Sequence, residues 1–411
     1  MRLISSARSS ISVPIQQIPH FIHLNFTSNQ PRSRHTPPLS LGVKYFTELT
    51  RQLVLDVIIV GAGPAGSTAA LIAGRLGLKT LIIDRLSPPR EKPCGGGLTP
   101  RSWKLLNALG VEYPVYGICK EVETRAAGYS YVLKKEPIYV TRRPDFDYSL
   151  LKQSNAEFVK DQVISVRQNE VVGRAGVYQG RIIIGADGAT STVARSIGIA
   201  NYRREKTHAI AYMTIAKGPT SETCVVDFDA VIDATGNVGY AWIFPLAEGA
   251  NIGAGIGGGR WADLRQLVEE YATKHGYKPG KVMGHPLSLG YVAGLGRGNV
   301  LLAGEAAGLV DATTGEGIYY AVASGAAAAI AAYAALRIWG REKYALPIYH
   351  ELVKPYVEEV KKTRTLYHLA KAIGTKKWAV KLLGRRLVRL YSAVYTGEAT
   401  YSLLLKPVQR L

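Results

Sequence analysis

With 411 residues, 47% of them hydrophobic and 20% charged, the chain has the length for two packed domains and a globular composition, which excludes a disordered or fibrous protein. The formal charge of +20 is concentrated at the ends: residues 1–55 hold six Lys/Arg against one Glu, and residues 336–411 sixteen against five. That basic appendage suits an anionic partner, either a membrane surface or a phosphorylated substrate. It comes with no nucleic-acid motif, and solvated helix faces account for it as readily.

Residues 1–52 read as an irregular extension rich in Ser, Pro and Arg. The composition is that of a transit peptide, or of a reading frame opening upstream of a natural start near Val43–Val54. Asp56–Val60 reads as a strand, Gly61–Gly66 as a glycine turn, Ser67–Leu76 as a small-residue helix and Lys79–Asp84 as a second strand, together one βαβ unit. Arg181–Ile184 is a strand running into Gly-Ala-Asp-Gly. Tyr240–Leu246 and Asn251–Ile256 alternate as antiparallel strands do. Val300–Ala303 leads into a glycine-rich turn and an Ala-rich helix. Ile318–Leu336 is uncharged and long enough to span a bilayer, but its Ala and Gly fit a helix packed closely on a sheet, so no transmembrane span is expected.

The order of elements predicts an α/β fold in which one domain interrupts another. A Rossmann-type dinucleotide-binding domain covers residues 53–200 and returns at 293–336. An antiparallel-sheet substrate domain covers 201–292, with a further part inserted at about 100–140, and a basic helical region covers 337–411. The three cysteines, Cys94, Cys119 and Cys224, form no disulfide framework by spacing. They and the eight histidines show no ligand spacing, so no metal is expected.

The strongest motif is Asp56-Val-Ile-Ile-Val-Gly61-Ala-Gly63-Pro-Ala65-Gly66. Gly61 permits the tight turn, Gly63 lets the backbone approach a pyrophosphate, and Gly66 lets helix pack on strand, while the helix N-terminus faces the phosphates. Asp84 ends the second strand, where an acid accepts from a ribose hydroxyl and disfavours a 2′-phosphate. The motif by itself does not separate FAD from NAD.

Distal segments carry a family resemblance. Gly185-Ala-Asp187-Gly188 and Val300-Leu-Leu-Ala-Gly304-Glu305 resemble the second and third FAD signatures of the group that includes the aromatic hydroxylases. Lys92-Pro-Cys94-Gly95-Gly-Gly97-Leu98 is similar to a segment of the geranylgeranyl reductases. So is Tyr240-Ala-Trp242-Ile-Phe244-Pro245 followed after seven residues by Gly253-Ala-Gly255. The resemblance covers roughly residues 55–335. It implies that Asp187 contacts FAD, that Glu305 (usually Asp) holds the ribityl chain, and that Gly317 and Ile318 face the pyrimidine end of the flavin. It also implies cofactor contacts at Ala65, Cys94, Gly95, Gly97 and Arg143, and an adenine-side backbone contact at Val163.

The same resemblance implies reduction of the double bonds of geranylgeranyl chains, as in archaeal-type prenyl-glycerol phospholipids. The external reductant would be NADPH, ferredoxin or similar, and the location cytoplasmic, peripheral to a membrane. Tyr240, Trp242 and Phe244 project to one face of a strand; on an arbitrary strand such a row is sheet core, and the Phe-Pro ending with Gly255, in the family context, favours the wall of a prenyl slot. Cys94 and the Tyr240 hydroxyl are candidate proton donors, Trp242 a stabiliser of cationic character. Cys94 is otherwise a small buried hydrophobe. Rival readings are a flavin monooxygenase of an aromatic or polyprenyl substrate and a membrane-docked electron carrier. The oligomeric state is left open.

Overall fold

The computed structural model describes residues 55–199, 209–257 and 261–373. The predicted extension 1–52 and the basic residues Lys376, Lys377, Arg385 and Arg386 lie outside them. Strand β1 (Leu55–Val60) runs through the glycine turn into helix α1 (Pro64–Arg75) and strand β2 (Thr80–Asp84). Then come β3 (Gly97–Leu98), α2 (Pro100–Ala108), β4 (Gly117–Ala126), β5 (Tyr129–Val140) and α3 (Arg143–Gln153). The chain continues through β6 (Glu157–Lys160), β7 (Val163–Arg167), β8 (Glu170–Gly173), β9 (Val177–Gly185) and α4 (Thr192–Ser196).

The second half opens with β10 (Ala209–Lys217), β11 (Thr223–Asp227), α5 (Phe228–Thr235), β12 (Gly239–Leu246) and β13 (Gly249–Gly257). It closes with α6 (Trp261–Lys274), β14 (Lys278–Pro279), β15 (Met283–Leu287), β16 (Gly296–Arg297), β17 (Val300–Leu302), α7 (Ile318–Tyr333) and α8 (Ala345–Ile373).

Among the described residues these strands form two large sheets. In the first, β17, β9, β1, β2 and β6 lie side by side and parallel, with β16 antiparallel at the edge and the β7–β8 hairpin laid onto β9. Parallel strands are covered on both faces, which is why β1 is almost wholly apolar and Val57, Ile58 and Ile59 are inaccessible. Helices α1 and α7 cross so closely that a Cβ on Gly325 would lie 2.2 Å from the Ala65 carbonyl oxygen. The Ala-rich stretch is therefore a packing surface: Ile318–Ile338 is long and apolar enough to cross a membrane, yet most of it is buried within the protein.

The second sheet takes β3–β5 from one stretch and β10–β15 from another, in the order β14-β10-β13-β12-β11-β4-β5-β3, with β15 on β10. Its β12–β13 ladder separates two cores. Ala241, Ile243, Ala250, Ile252 and Ala254 pack against Leu264, Val268 and Tyr271 of α6. Trp242 and Phe244 point to the other face, with Ile138, Met213 and Val226.

Two details depart from expectation. The sheet is not wholly antiparallel, because β4 and β11 pair in parallel across the two stretches. That pairing brings Cys119 and Cys224 together in a disulfide, correcting the expectation of no cross-link. Their separation of 105 residues is closed by long-range strand pairing, which spacing does not reveal. Closing so long a loop restricts the unfolded chain, so reductant is expected to lower stability by about 4 kcal/mol in urea unfolding. Superimposable curves with and without reductant would contradict this.

Candidate active site

The C-terminal ends of β1, β2, β9 and β17 converge on one cavity of about 710 Å³, bounded on the other side by β10, β12, β13 and β15. This is where a ligand sits in an open α/β sheet. Gly61 has φ +103°, and a Cβ there would meet the Ala186 carbonyl oxygen at 2.4 Å. A Cβ on Gly66 would fall 1.8 Å from the Gly61 carbonyl oxygen. Both glycines serve the turn itself.

Gly63 differs. Its φ of −81° suits any residue, and the nearest atoms to an added Cβ are the guanidinium nitrogens of Arg90 at 3.8 Å and Arg143 at 4.0 Å. The N-terminus of α1 opens on the same space with no side-chain cap. An open cradle bounded by two cations and a helix N-terminus fits a pyrophosphate.

Asp147, buried on α3, fixes both arginines. It accepts two bonds from Arg143 at 2.8 Å and one from Arg90 at 3.3 Å. Burial opposes the Arg143 charge, but the Asp147 carboxylate outweighs it and raises its pKa. Asp84 accepts from the Ala62 amide at 2.8 Å and from Arg90 at 3.2 Å, so it ties the glycine turn to the cradle. Val163, at the start of β7, lines the cavity beside Asp161 and Gln162.

Other expected contacts line the same cavity with varied engagement. Both carboxylate oxygens of Asp187 are used locally, by the Ser191 hydroxyl at 2.5 Å and by the Thr192 and Val193 amides at 2.7 and 3.1 Å. Its side chain thus caps the following turn. Glu305 accepts from the Ser288 amide at 3.1 Å and stands 4.0 Å from Lys92 Nζ. Burial, then the Arg143 charge, pushes the Lys92 ammonium pKa down against the pull of Glu305.

Gly317 and Ile318 begin α7, whose preceding loop is held on several sides. Asp311 accepts from the Thr313 and Thr314 amides. Glu316 is bound by Arg101, Thr99 and Ser102, and Arg101 also reaches Glu359 of α8 at 3.0 Å.

Tyr240, Trp242 and Phe244 form a continuous row along β12, with successive ring centroids 6.0 and 6.3 Å apart, and all three line the cavity. The Tyr240 hydroxyl donates to the Thr314 carbonyl, and burial raises its pKa, so the phenol stays protonated. Gly95 and Gly97 lie against the row: Cβ atoms there would be 3.1 and 3.2 Å from the Phe244 ring. Cys94, the free thiol, precedes them, its Sγ accepting from the Gly96 amide at 3.4 Å.

Sequence reasoning had no role for Arg90, Lys92, Arg101, Asn251 or His285. His285 of β15 lines the cavity with a buried, unpartnered Nε2; burial first, and then Lys92, Arg143 and Arg85, push its pKa down to about 3. It is therefore neutral near pH 7. Lys92 lay within a quoted motif, and Asn251 on the cavity parity of its strand. The Arg101–Glu316 pair joins residues 215 positions apart, for which the sequence offers no signal.

A protein-family model described as an FAD binding domain matches residues 54–235. The menaquinone reductase of Mycolicibacterium smegmatis is 32% identical over 309 residues, covering 67% of this chain and 75% of that protein. The geranylgeranyl diphosphate reductase of Rhodobacter capsulatus is 30% identical over 309 residues, covering 69% and 76%. The digeranylgeranylglycerophospholipid reductase of Thermoplasma acidophilum is 29% identical over 350 residues, covering 74% and 84%. Among solved structures, a geranylgeranyl bacteriochlorophyll reductase-like protein from Thermoplasma acidophilum superposes with a TM-score of 0.67 at 22% identity. The match covers 80% of this chain and 98% of that one, a likeness of fold.

The open space beside Gly63 gives a direct test of the cradle. Gly63→Val has an allowed backbone and no protein atom within 3.8 Å of its Cβ, so the variant is expected to fold with the melting temperature of the FAD-free wild type and to lose bound FAD. Full FAD occupancy in the folded variant would move the pyrophosphate elsewhere.

Proposed function

The chain belongs to the geranylgeranyl reductase family of FAD-dependent oxidoreductases, and on that premise we propose that it saturates double bonds in geranylgeranyl chains, as found in prenyl diphosphates and prenyl-glycerol phospholipids. The observation that carries the reading is the aromatic row Tyr240–Trp242–Phe244, which faces the nucleotide cradle across one cavity. Such a row suits a long apolar chain laid along β12. The names of the Rhodobacter and Thermoplasma relatives support the prenyl class, while that of the Mycolicibacterium relative keeps a quinone lipid within it.

Gly61, Gly63, Ala65, Gly66, Arg90 and Arg143 would hold the pyrophosphate, Asp84 the ribose, Glu305 the ribityl chain, and the Gly317–Ile318 amides the pyrimidine end. The chemistry FAD supplies when bound is hydride donation to one alkene carbon. An isolated alkene has no carbonyl to accept charge, so the protein faces developing cationic character, which the faces of Trp242 and Tyr240 stabilise. The second carbon needs a proton. The Tyr240 O–H is directed at Thr314, so we assign the proton to the Cys94 thiol beside the row. An external reductant, NADPH, ferredoxin or similar, would return the flavin to its reduced state.

Mass spectrometry of geranylgeranyl diphosphate and prenyl-glycerol phosphates after anaerobic incubation with the enzyme and dithionite is expected to show gains of two hydrogens per step. Unchanged masses, together with substrate-stimulated NADPH oxidation that requires oxygen, would replace this reading with a monooxygenase. Trp242→Phe is expected to keep flavin content and melting temperature while slowing geranylgeranyl turnover about tenfold, with geranyl chains slowed less. An unstable, flavin-free variant would make Trp242 core.

The basic region is assigned to an anionic membrane surface, with Lys361, Lys362 and Arg364 on α8 leading into Lys376, Lys377, Arg385 and Arg386. Changing the last four to Gln is expected to weaken binding to anionic vesicles by up to about 1 kcal/mol per charge and leave neutral vesicles unaffected. Unchanged partitioning at low salt would leave these charges as solvated surface.

A further inference from the structure

Residues directly opposite in an antiparallel ladder share a face, so β13 presents Gly249, Asn251, Gly253, Gly255 and Gly257 on the side that carries Tyr240, Trp242 and Phe244. Asn251 is the one side chain among them. The glycines make room for the aromatic row: a Cβ on Gly253 would lie 2.2 Å from Trp242 Cζ2. An amide placed there is 3% exposed, and burying one is costly unless both its carbonyl and its NH₂ are engaged.

Both are engaged. Asn251 Oδ1 accepts from Trp242 Nε1 at 3.0 Å, and Asn251 Nδ2 donates to the Cys94 carbonyl at 2.8 Å. One side chain thus joins the aromatic row of the substrate sheet to the glycine loop that carries the free thiol. The three glycines after Cys94 have no side chains to anchor the loop, so its register against Trp242 depends on backbone contacts such as this one. We infer that Asn251 is a positioning residue that holds Cys94 at the working distance from the Trp242 wall. The inference rests on Cys94 being the proton donor of the proposed reaction.

Asn251→Leu, which keeps the branching at Cγ and removes both bonds, tests it in the FAD-loaded enzyme. With Cys119 and Cys224 in their disulfide, iodoacetamide reports on Cys94. Its alkylation rate is expected to change severalfold at every pH while FAD occupancy stays constant. The rate constant for prenyl reduction, kcat, is expected to fall about 100-fold with KM within about twofold, as for a misplaced catalytic group. In a Cys94→Ala background the same substitution is expected to cost little more, because both changes act on one step.

Unchanged alkylation with unchanged kcat would overturn the inference, and so would losses from Asn251→Leu and Cys94→Ala that multiply. If the wild-type enzyme reduces no prenyl chain, the proposed reaction falls, and alkylation alone decides the positioning role. If Asn251→Leu does not fold, Asn251→Ser, which is smaller and polar, is judged by the same readouts.

Discussion

The site depends on the seam between the Cys94–Gly97 loop and the Trp242–Phe244 row. The loop lines the cradle and runs into β3 at the edge of the substrate sheet, while the row lies on β12 within that sheet. They meet so closely that a methyl group on Gly95 or on Gly97 would press on the Phe244 ring. Backbone laid on aromatic faces brings the cradle and the slot into one cavity without a lining of intervening side chains. Bulk anywhere along this seam would separate the two halves of the chemistry.

A second connection reinforces the first from behind. The loop before α7, whose first residues line the cavity, is fixed by Glu316 to Arg101, and Arg101 is fixed in turn to Glu359 on α8. Thr363, one turn further along α8, accepts from the Ala312 amide at 3.0 Å. Tyr240 closes the circuit from the substrate sheet by donating to Thr314. Helix α8 is therefore mechanically continuous with the loop that opens α7 onto the cavity.

Much of this was legible in the sequence wherever the cause is local. The turn Gly61–Gly66 fixes its own geometry within ten residues, and Asp84 follows from the length of one βαβ unit, so both could be placed by spacing. The parity of β12 put Tyr240, Trp242 and Phe244 on one face before any coordinates. What escaped depends on pairings between distant segments. The Cys119–Cys224 disulfide needs β4 beside β11, and the Arg101–Glu316 clamp needs α2 beside the start of α7. Asp187, expected by resemblance as a cofactor contact, lines the cavity, and the local bonds its oxygens accept from Ser191, Thr192 and Val193 at the start of α4 were not foreseen. Asn251 stood in plain view between two recognised anchors, yet the value of an amide there appears only when Cys94 is seen across from it.

The central claim is that a prenyl alkene accepts electrons directly at this cavity. Anaerobic stopped-flow absorbance of the photoreduced enzyme, mixed with a geranylgeranyl lipid, tests it most directly. The account predicts return of the oxidised flavin band at a rate that rises and saturates with lipid concentration, with no return when a fully saturated phytanyl lipid replaces it. A flavin that stays reduced with every prenyl lipid and is reoxidised only on admitting oxygen would contradict it.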